Sequence, residues 1–256
     1  MPDRDLPDDL VLPLTSGEPW WYWTGGRPAV DFVNTHRERW RRNVETLVTP
    51  SDLTRWLVRA GVMDADGGAA VSAKVLGQAR DLRDAIDALV VAAIEGGPAP
   101  ADAITLVDDW LVFAGARPQL VAGPDGVPAL TERAAADSPR RALGMVALDA
   151  AQMLGTARQR DRIRICASET CSGRFFDRSP GGGRRWCSMR TCGNEAKARR
   201  HRLRQKAQAP EPPGDGLDRL RQKAQATPEP SGDGLDRARH GADAQPSTTT
   251  SEPEMR

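Results

Sequence analysis

The chain has only four cysteines, and they form two pairs with the same internal spacing. Four residues separate Cys166 from Cys171 and Cys187 from Cys192, and fifteen residues lie between the pairs. Each gap is short enough to form a turn that directs two sulfurs toward one point. Four thiolates complete the tetrahedral shell of Zn²⁺ and leave no open coordination position. We therefore predict one structural zinc ion, bound by Cys166, Cys171, Cys187 and Cys192.

The alternatives for these cysteines are two disulfides or four free buried thiols. Residues 1–10 are acidic and rich in proline, unlike a secretory signal segment. This favours the cytoplasm, where thiols stay reduced and disulfides are rare. The sequence contains no run of eighteen apolar residues, so we expect no membrane-spanning helix.

The overall charge of +1 hides a strongly basic segment between two acidic ones. Residues 158–206 contain fifteen Lys and Arg against four Asp and Glu, a net charge of +11. Residues 1–157 have a net charge of −7 and residues 207–256 a net charge of −3. One sign of charge beside a zinc site favours a polyanionic partner, foremost nucleic acid, over a merely solvated surface.

The pattern around the cysteines predicts a treble-clef arrangement, in which a hairpin and a helix complete two cysteine turns. We expect short strands at 173–178 and 184–187, and a helix after Cys192 that is capped by Asn194. Phe175, Phe176 and Trp186 would form the small core, although one of them could instead stack on a base. The predicted phosphate contacts are Arg184, Arg185, Lys197, Arg199, Arg200, Arg202 and Arg204.

Residues 19–160 are predicted to form a mainly helical α+β domain after a flexible N-terminus at 1–18. Helical periodicity is clearest over 69–95, and further helices are expected at about 51–62, 101–115 and 139–158. The last of these would run directly into the basic module at 161–208. Hairpins are expected around Gly25-Gly26 and around Asp125-Gly126. The fold class is therefore α+β, with short hairpins, a small zinc module and a tail.

Several polar residues follow an aromatic cluster at 20–23 and suggest a second site. Asp31, Asn34 and Thr35 could converge with aromatic walls on a small-molecule effector. The alternative is an aromatic core in which Asn34 and Thr35 satisfy a turn.

The segment 209–256 is predicted to be disordered. It contains a near copy of the stretch 203–219, followed by residues rich in Pro, Gly, Ser and Thr. Two copies with this composition suit a duplicated linker rather than a stacked repeat.

The segment C-x4-C-x-G-R-F-F-D-R-S followed by R-R-W-C-S-M-R-x-C-G-N-E-A-K-A-R-R-H-R resembles the CGNR-type zinc finger of bacteria. In that family the finger follows an ABATE domain, and the segment A-V-D-F-V-N-T at 29–35 resembles the opening motif of that domain. The resemblance covers about 20–206 and implies a stress-induced transcription regulator. One position departs from the family motif, because Glu195 replaces its arginine and could remove a phosphate contact.

These observations predict a zinc-dependent regulator that binds double-stranded DNA. RNA binding, with or without the ribosome, and binding of an acidic protein are the alternatives. We expect no enzymatic activity, because the three histidines lack catalytic partners and no phosphate-binding loop is present. The oligomeric state is not predicted.

Overall fold

The computed structural model describes residues 6–65, 70–115, 117–133 and 139–208. The described residues up to Ala207 belong to one compact unit. The predicted disordered tail at 209–256 lies outside the described residues.

Helices dominate this unit, in agreement with the predicted α+β class. The helices are α1 (Pro28–Val33), α2 (Pro50–Arg59), α3 (Ala73–Glu95), α4 (Ala101–Leu111), α5 (Pro139–Leu154), α6 (Ala157–Arg160) and α7 (Asn194–Gln208), with a π-helical turn at Met189–Gly193. The strands are β1 (His36–Arg37), β2 (Val44–Glu45), β3 (Arg117–Ala122), β4 (Pro128–Arg133), β5 (Ile163–Ile165) and β6 (Arg174–Phe176). They form three antiparallel pairs, β1–β2, β3–β4 and β5–β6. None of the described helices is long and apolar enough to span a bilayer.

The main core lies where α1, α2, α3 and α5 meet. Trp56 of α2 is fully buried, stacks on Trp23 at a centroid distance of 5.6 Å and meets the Phe32 ring at 5.1 Å. Helix α2 begins at Pro50, one residue before its predicted start at about 51. Thr49 and Asp52 form a reciprocal capping box there, which satisfies amides that a helix start leaves unpaired.

The segment predicted as a hairpin around Gly25-Gly26 is instead a turn leading into α1. Pro28 occupies the first turn of the helix, where its fixed φ is favourable and its missing N–H is not needed. Asp31, one turn later, accepts a 2.7 Å hydrogen bond from the Gly25 amide. A Cβ on Gly25 would lie 2.8 Å from the Asp31 nitrogen, so the tight approach requires glycine.

The predicted continuous helix at 139–158 is also corrected. Helix α5 ends at Leu154, and α6 starts only at Ala157 after Gly155 and Thr156. The Arg160 guanidinium donates a 2.5 Å hydrogen bond to the Leu154 carbonyl. This bond satisfies an otherwise orphan carbonyl at the end of α5.

The hairpin predicted around Asp125-Gly126 is present as β3 and β4. Gly126 has φ +72°, a conformation that glycine adopts without a Cβ penalty. Leu120 and Leu130 face each other across the pair and are both exposed. The apolar residues of this hairpin therefore contribute little to the described core.

The strand pairing predicted within the basic module is wrong. Strand β6 pairs with β5, placing Ile163 opposite Phe176 and Ile165 opposite Arg174. Residues 184–187 form no strand. Phe175 is buried beside the cysteines, whereas Phe176 packs against the main core.

Candidate metal centre and basic helix

The four cysteine sulfurs converge on one point. All four Sγ atoms lie within 4.8 Å of one another. The distance from Cys187 Sγ is 3.6 Å to Cys171 Sγ and 3.7 Å to Cys192 Sγ. A tetrahedron with Zn–S bonds of about 2.3 Å has edges of about 3.8 Å, so these separations fit a metal ion. They are far too long for the bond of about 2.05 Å in a disulfide, and all four thiols are free.

The two cysteine pairs are positioned by different local structures. Cys166 and Cys171 lie in the turn between β5 and β6, where the Cys166 amide donates to the Gly173 carbonyl at 2.8 Å. Cys192 lies in the π-helical turn that leads directly into α7, and Cys187 precedes that turn. A strand turn and a helix start thus supply two ligands each.

Gly173 shows how closely the chain surrounds the sulfurs. A Cβ at this position would lie 3.1 Å from Cys171 Sγ and 3.9 Å from Cys187 Sγ. The space beside the sulfurs is therefore kept free of side-chain atoms. The closed set of four soft donors fits one structural Zn²⁺.

The crowding of thiols also shows why a cation is needed. Hydrogen bonding to Cys166 and the other cysteine sulfurs, together with burial, raises the pKa of the Cys187 thiol. Two or more thiolates in this buried space would repel each other without a positive charge. A bound metal ion supplies that charge and stabilises the thiolates.

Helix α7 projects the predicted phosphate-binding residues into solvent. It buries no side chain, and all its basic side chains are exposed. Arg199 forms an ion pair with Glu169 of the first cysteine turn. No ion pair is formed by the other predicted contacts on this helix within the described residues, namely Lys197, Arg200, Arg202 and Arg204.

The two predicted arginines before the second cysteine pair differ from each other. The Arg184 guanidinium donates to the Cys187 carbonyl at 2.6 Å and lies 5.2 Å from the centroid of the Phe175 ring. Arg184 thus stabilises the backbone beside the metal centre. Arg185 is exposed, with its guanidinium over the Trp186 ring at 5.3 Å.

Asn194 does not cap α7, in contrast to the prediction. Its backbone is already helical, and its Nδ2 donates to the Arg190 carbonyl at 3.1 Å. Ser188 supplies the cap instead, because its Oγ accepts from the Thr191 amide before the π-helical turn. Glu195, in place of the arginine expected from the resemblance, is exposed in the first turn of α7.

The metal module is joined to the helical domain through Arg174, which the sequence reasoning missed. Its guanidinium is buried and pairs with Asp87 of α3, with 2.7 Å between Nε and Oδ1. It also lies over the Trp40 ring at 5.5 Å. Arg39 completes the group, and burial lowers its pKa to about 10. The charge of Asp87 acts to raise this pKa, whereas the charge of Arg174 lowers it further. Only the G-R-F-F motif hinted at a special arginine.

The three residues of the predicted ligand pocket have other partners. Asn34 bonds through both its amide atoms to the Arg174 backbone. Thr35 donates to the Phe32 carbonyl at 2.6 Å, and Asp31 accepts from Gly25. The space beside Asn34 and Gly173 measures about 10 Å³, less than a drug-sized ligand requires.

Family models match both parts of the chain. Residues 26–157 match ABATE, described as "Putative stress-induced transcription regulator". The chain belongs to the ABATE family. Residues 162–205 match the CGNR zinc finger, so the four-cysteine centre is the zinc site of that finger. No curated protein shows significant similarity to the chain.

Proposed function

We propose that this ABATE-family protein is a transcription regulator that binds double-stranded DNA through α7 of its CGNR finger. The carrying observation is the exposure of α7, a basic helix that buries no side chain and starts at the metal centre. A helix with so many like charges repels itself unless anions lie beside it. Phosphates of a nucleic-acid backbone supply such anions.

Helical spacing divides the proposed contacts between two neighbouring faces. Lys197, Arg200 and Arg204 are spaced i, i+3 and i+7, and Arg202 lies three residues after Arg199. Arg199 can exchange its ion pair with Glu169 for a phosphate, because both side chains are largely exposed and their pairing is weak in water. Arg185 extends the surface beyond the helix, whereas Arg184 is occupied by carbonyls of the metal centre.

The protein is proposed as a binding protein rather than an enzyme. A reducing cytoplasm would keep the four thiols available for zinc. The family description supports a role of this regulator in the stress response.

The test is the salt dependence of duplex binding. With four to six phosphates engaged, the logarithm of affinity should fall against the logarithm of salt with a slope of roughly −4 to −5. Replacing Arg200 and Arg204 by alanine should weaken binding and reduce that slope by about 2. Lys74→Ala, an exposed cation at the start of α3, is the matched control and should change neither quantity.

Fluorescence anisotropy of labelled duplexes measures both values. Affinity that does not depend on salt, or no binding at low salt, would contradict the proposal. Much tighter binding of RNA of the same length at equal salt would replace DNA by RNA as the partner.

A further inference from the structure

A separate cavity lies in the ABATE domain, between the ends of α3 and α5 and the face of α4. Its volume is about 500 Å³, within the usual range for small-molecule sites. None of the cysteines and none of the α7 residues line it. It is also distinct from the small space beside Asn34.

The cavity exists because small residues line two of its helices. Ala92 and Ala93 of α3 face Ala151 of α5, and Gly155 lies just beyond the end of α5. Larger side chains at these positions would fill the gap, as elsewhere in close-packed protein interiors. Leu89, Val107 and Leu111 make the remaining wall apolar.

Two charged side chains border this apolar space, Asp108 of α4 and Arg160 of α6. Asp108 is exposed, whereas Arg160 is half-buried. Within the described residues Arg160 forms no ion pair, and its hydrogen bond goes to the neutral Leu154 carbonyl. A guanidinium beside an apolar cavity is suited to a carboxylate, which it can bind in a bidentate manner.

We propose that this cavity binds a small amphipathic carboxylate, with the apolar body between α3, α4 and α5 and the carboxylate on Arg160. A straight aliphatic chain of about ten carbons is small enough to fit within this volume. The bound carboxylate would lie near the start of β5, since Arg160 is three residues before Ile163. Binding of a ligand in this cavity can be measured without nucleic acid.

Three probes of equal chain length separate the contributions of charge and apolar surface. Isothermal titration calorimetry of the full chain should detect decanoate, with decanol binding about tenfold or more weakly and decyltrimethylammonium weaker still. Equal binding of decanoate and decanol, or no binding of decanoate, would overturn the proposal.

Variants then locate the site. Arg160→Met should lower the affinity for decanoate about tenfold or more, to a value close to the affinity for decanol. Arg158→Met, an exposed neighbour outside the cavity, should leave the affinity unchanged. Ala93→Leu should weaken the binding of all three probes, because it reduces the volume of the cavity. Circular dichroism confirms that each variant is folded. Unchanged decanoate affinity in folded Arg160→Met or Ala93→Leu would contradict the site.

Discussion

Asn34 and Arg174 are 140 residues apart in the sequence, yet they are joined by two hydrogen bonds of 2.8 Å. The Asn34 Nδ2 donates to the Arg174 carbonyl, and the Arg174 amide donates to the Asn34 Oδ1. The side-chain amide thus pairs with β6 in the way a neighbouring strand would. Through this contact, the end of α1 holds the finger strand in place.

Asn34→Ala should lower the free energy of unfolding by about 1–3 kcal/mol, because it leaves buried backbone groups of Arg174 without partners. Urea denaturation measures the loss. Asn194→Ala, which removes an exposed amide with one hydrogen bond, should cost much less. Unchanged stability in Asn34→Ala would remove the structural role and restore the ligand role predicted with Asp31 and Thr35.

Cys187→Ser should abolish stoichiometric zinc binding. One thiolate fewer weakens a metal affinity that also contributes to folding, so the finger should lose its structure. Elemental analysis is expected to give about one zinc per wild-type chain. Ser168→Ala, in the first cysteine turn, is the control and should retain the metal. A folded wild-type chain with well under one zinc would refute the assignment.

Asp52→Asn should destabilise the protein at neutral pH and have little effect in acid. Burial alone would raise the pKa of Asp52, but hydrogen bonds from Thr49, Arg55 and Ser16 hold it below its ordinary value. A carboxylate with a depressed folded pKa stabilises the fold above its unfolded pKa of about 4 and loses this contribution as pH falls through the folded pKa.

Urea denaturation at several pH values tests this. The free energy of unfolding of the wild type should exceed that of Asp52→Asn by about 1–2 kcal/mol at pH 7. This difference should shrink below about pH 4. Asp102→Asn changes an exposed carboxylate in the first turn of α4 and should have a smaller effect. A difference between wild type and Asp52→Asn that stays constant with pH would show that the capping carboxylate is not responsible.

Glu195→Gln should strengthen DNA binding about two- to fivefold under the proposed function, because it removes a negative charge from the first turn of the basic helix. Glu195→Arg, which introduces the arginine expected from the family resemblance, should strengthen it further and make the salt slope steeper by about 1. Glu95→Gln changes the same charge at the end of α3 and should have no effect. Equal affinity in all four proteins would place Glu195 away from the DNA.

The metal ligands could be predicted because their information is local. Two short gaps of equal length identify Cys166, Cys171, Cys187 and Cys192 without knowledge of the fold, and apolar periodicity likewise identifies α3. The long loop between the pairs gave a wrong strand partner, because pairing depends on packing across the molecule. Trp186 favours a strand at 184–187, but the buried Ile163 pairs with β6 instead.

The roles of Asn34 and Arg174 could not be predicted for the same reason. Nothing near Asn34 in the sequence specifies a partner 140 residues away, and Arg174 resembles the surrounding surface arginines until α3 brings Asp87 beside it. The break after α5 was missed because Gly155 alone does not end a helix in a periodic pattern.

Two adjacent residues of strand β6 pack in two different places. Phe175 is buried beside the metal centre, whereas Phe176 is packed on the helical core. The finger is therefore not a structurally independent module. Excised from the chain, it would carry Ile163 and Phe176 as bare apolar surface and would tend to aggregate. Chelation of the zinc in the intact protein should, conversely, lower the melting temperature of the ABATE core, although that core supplies none of the ligands.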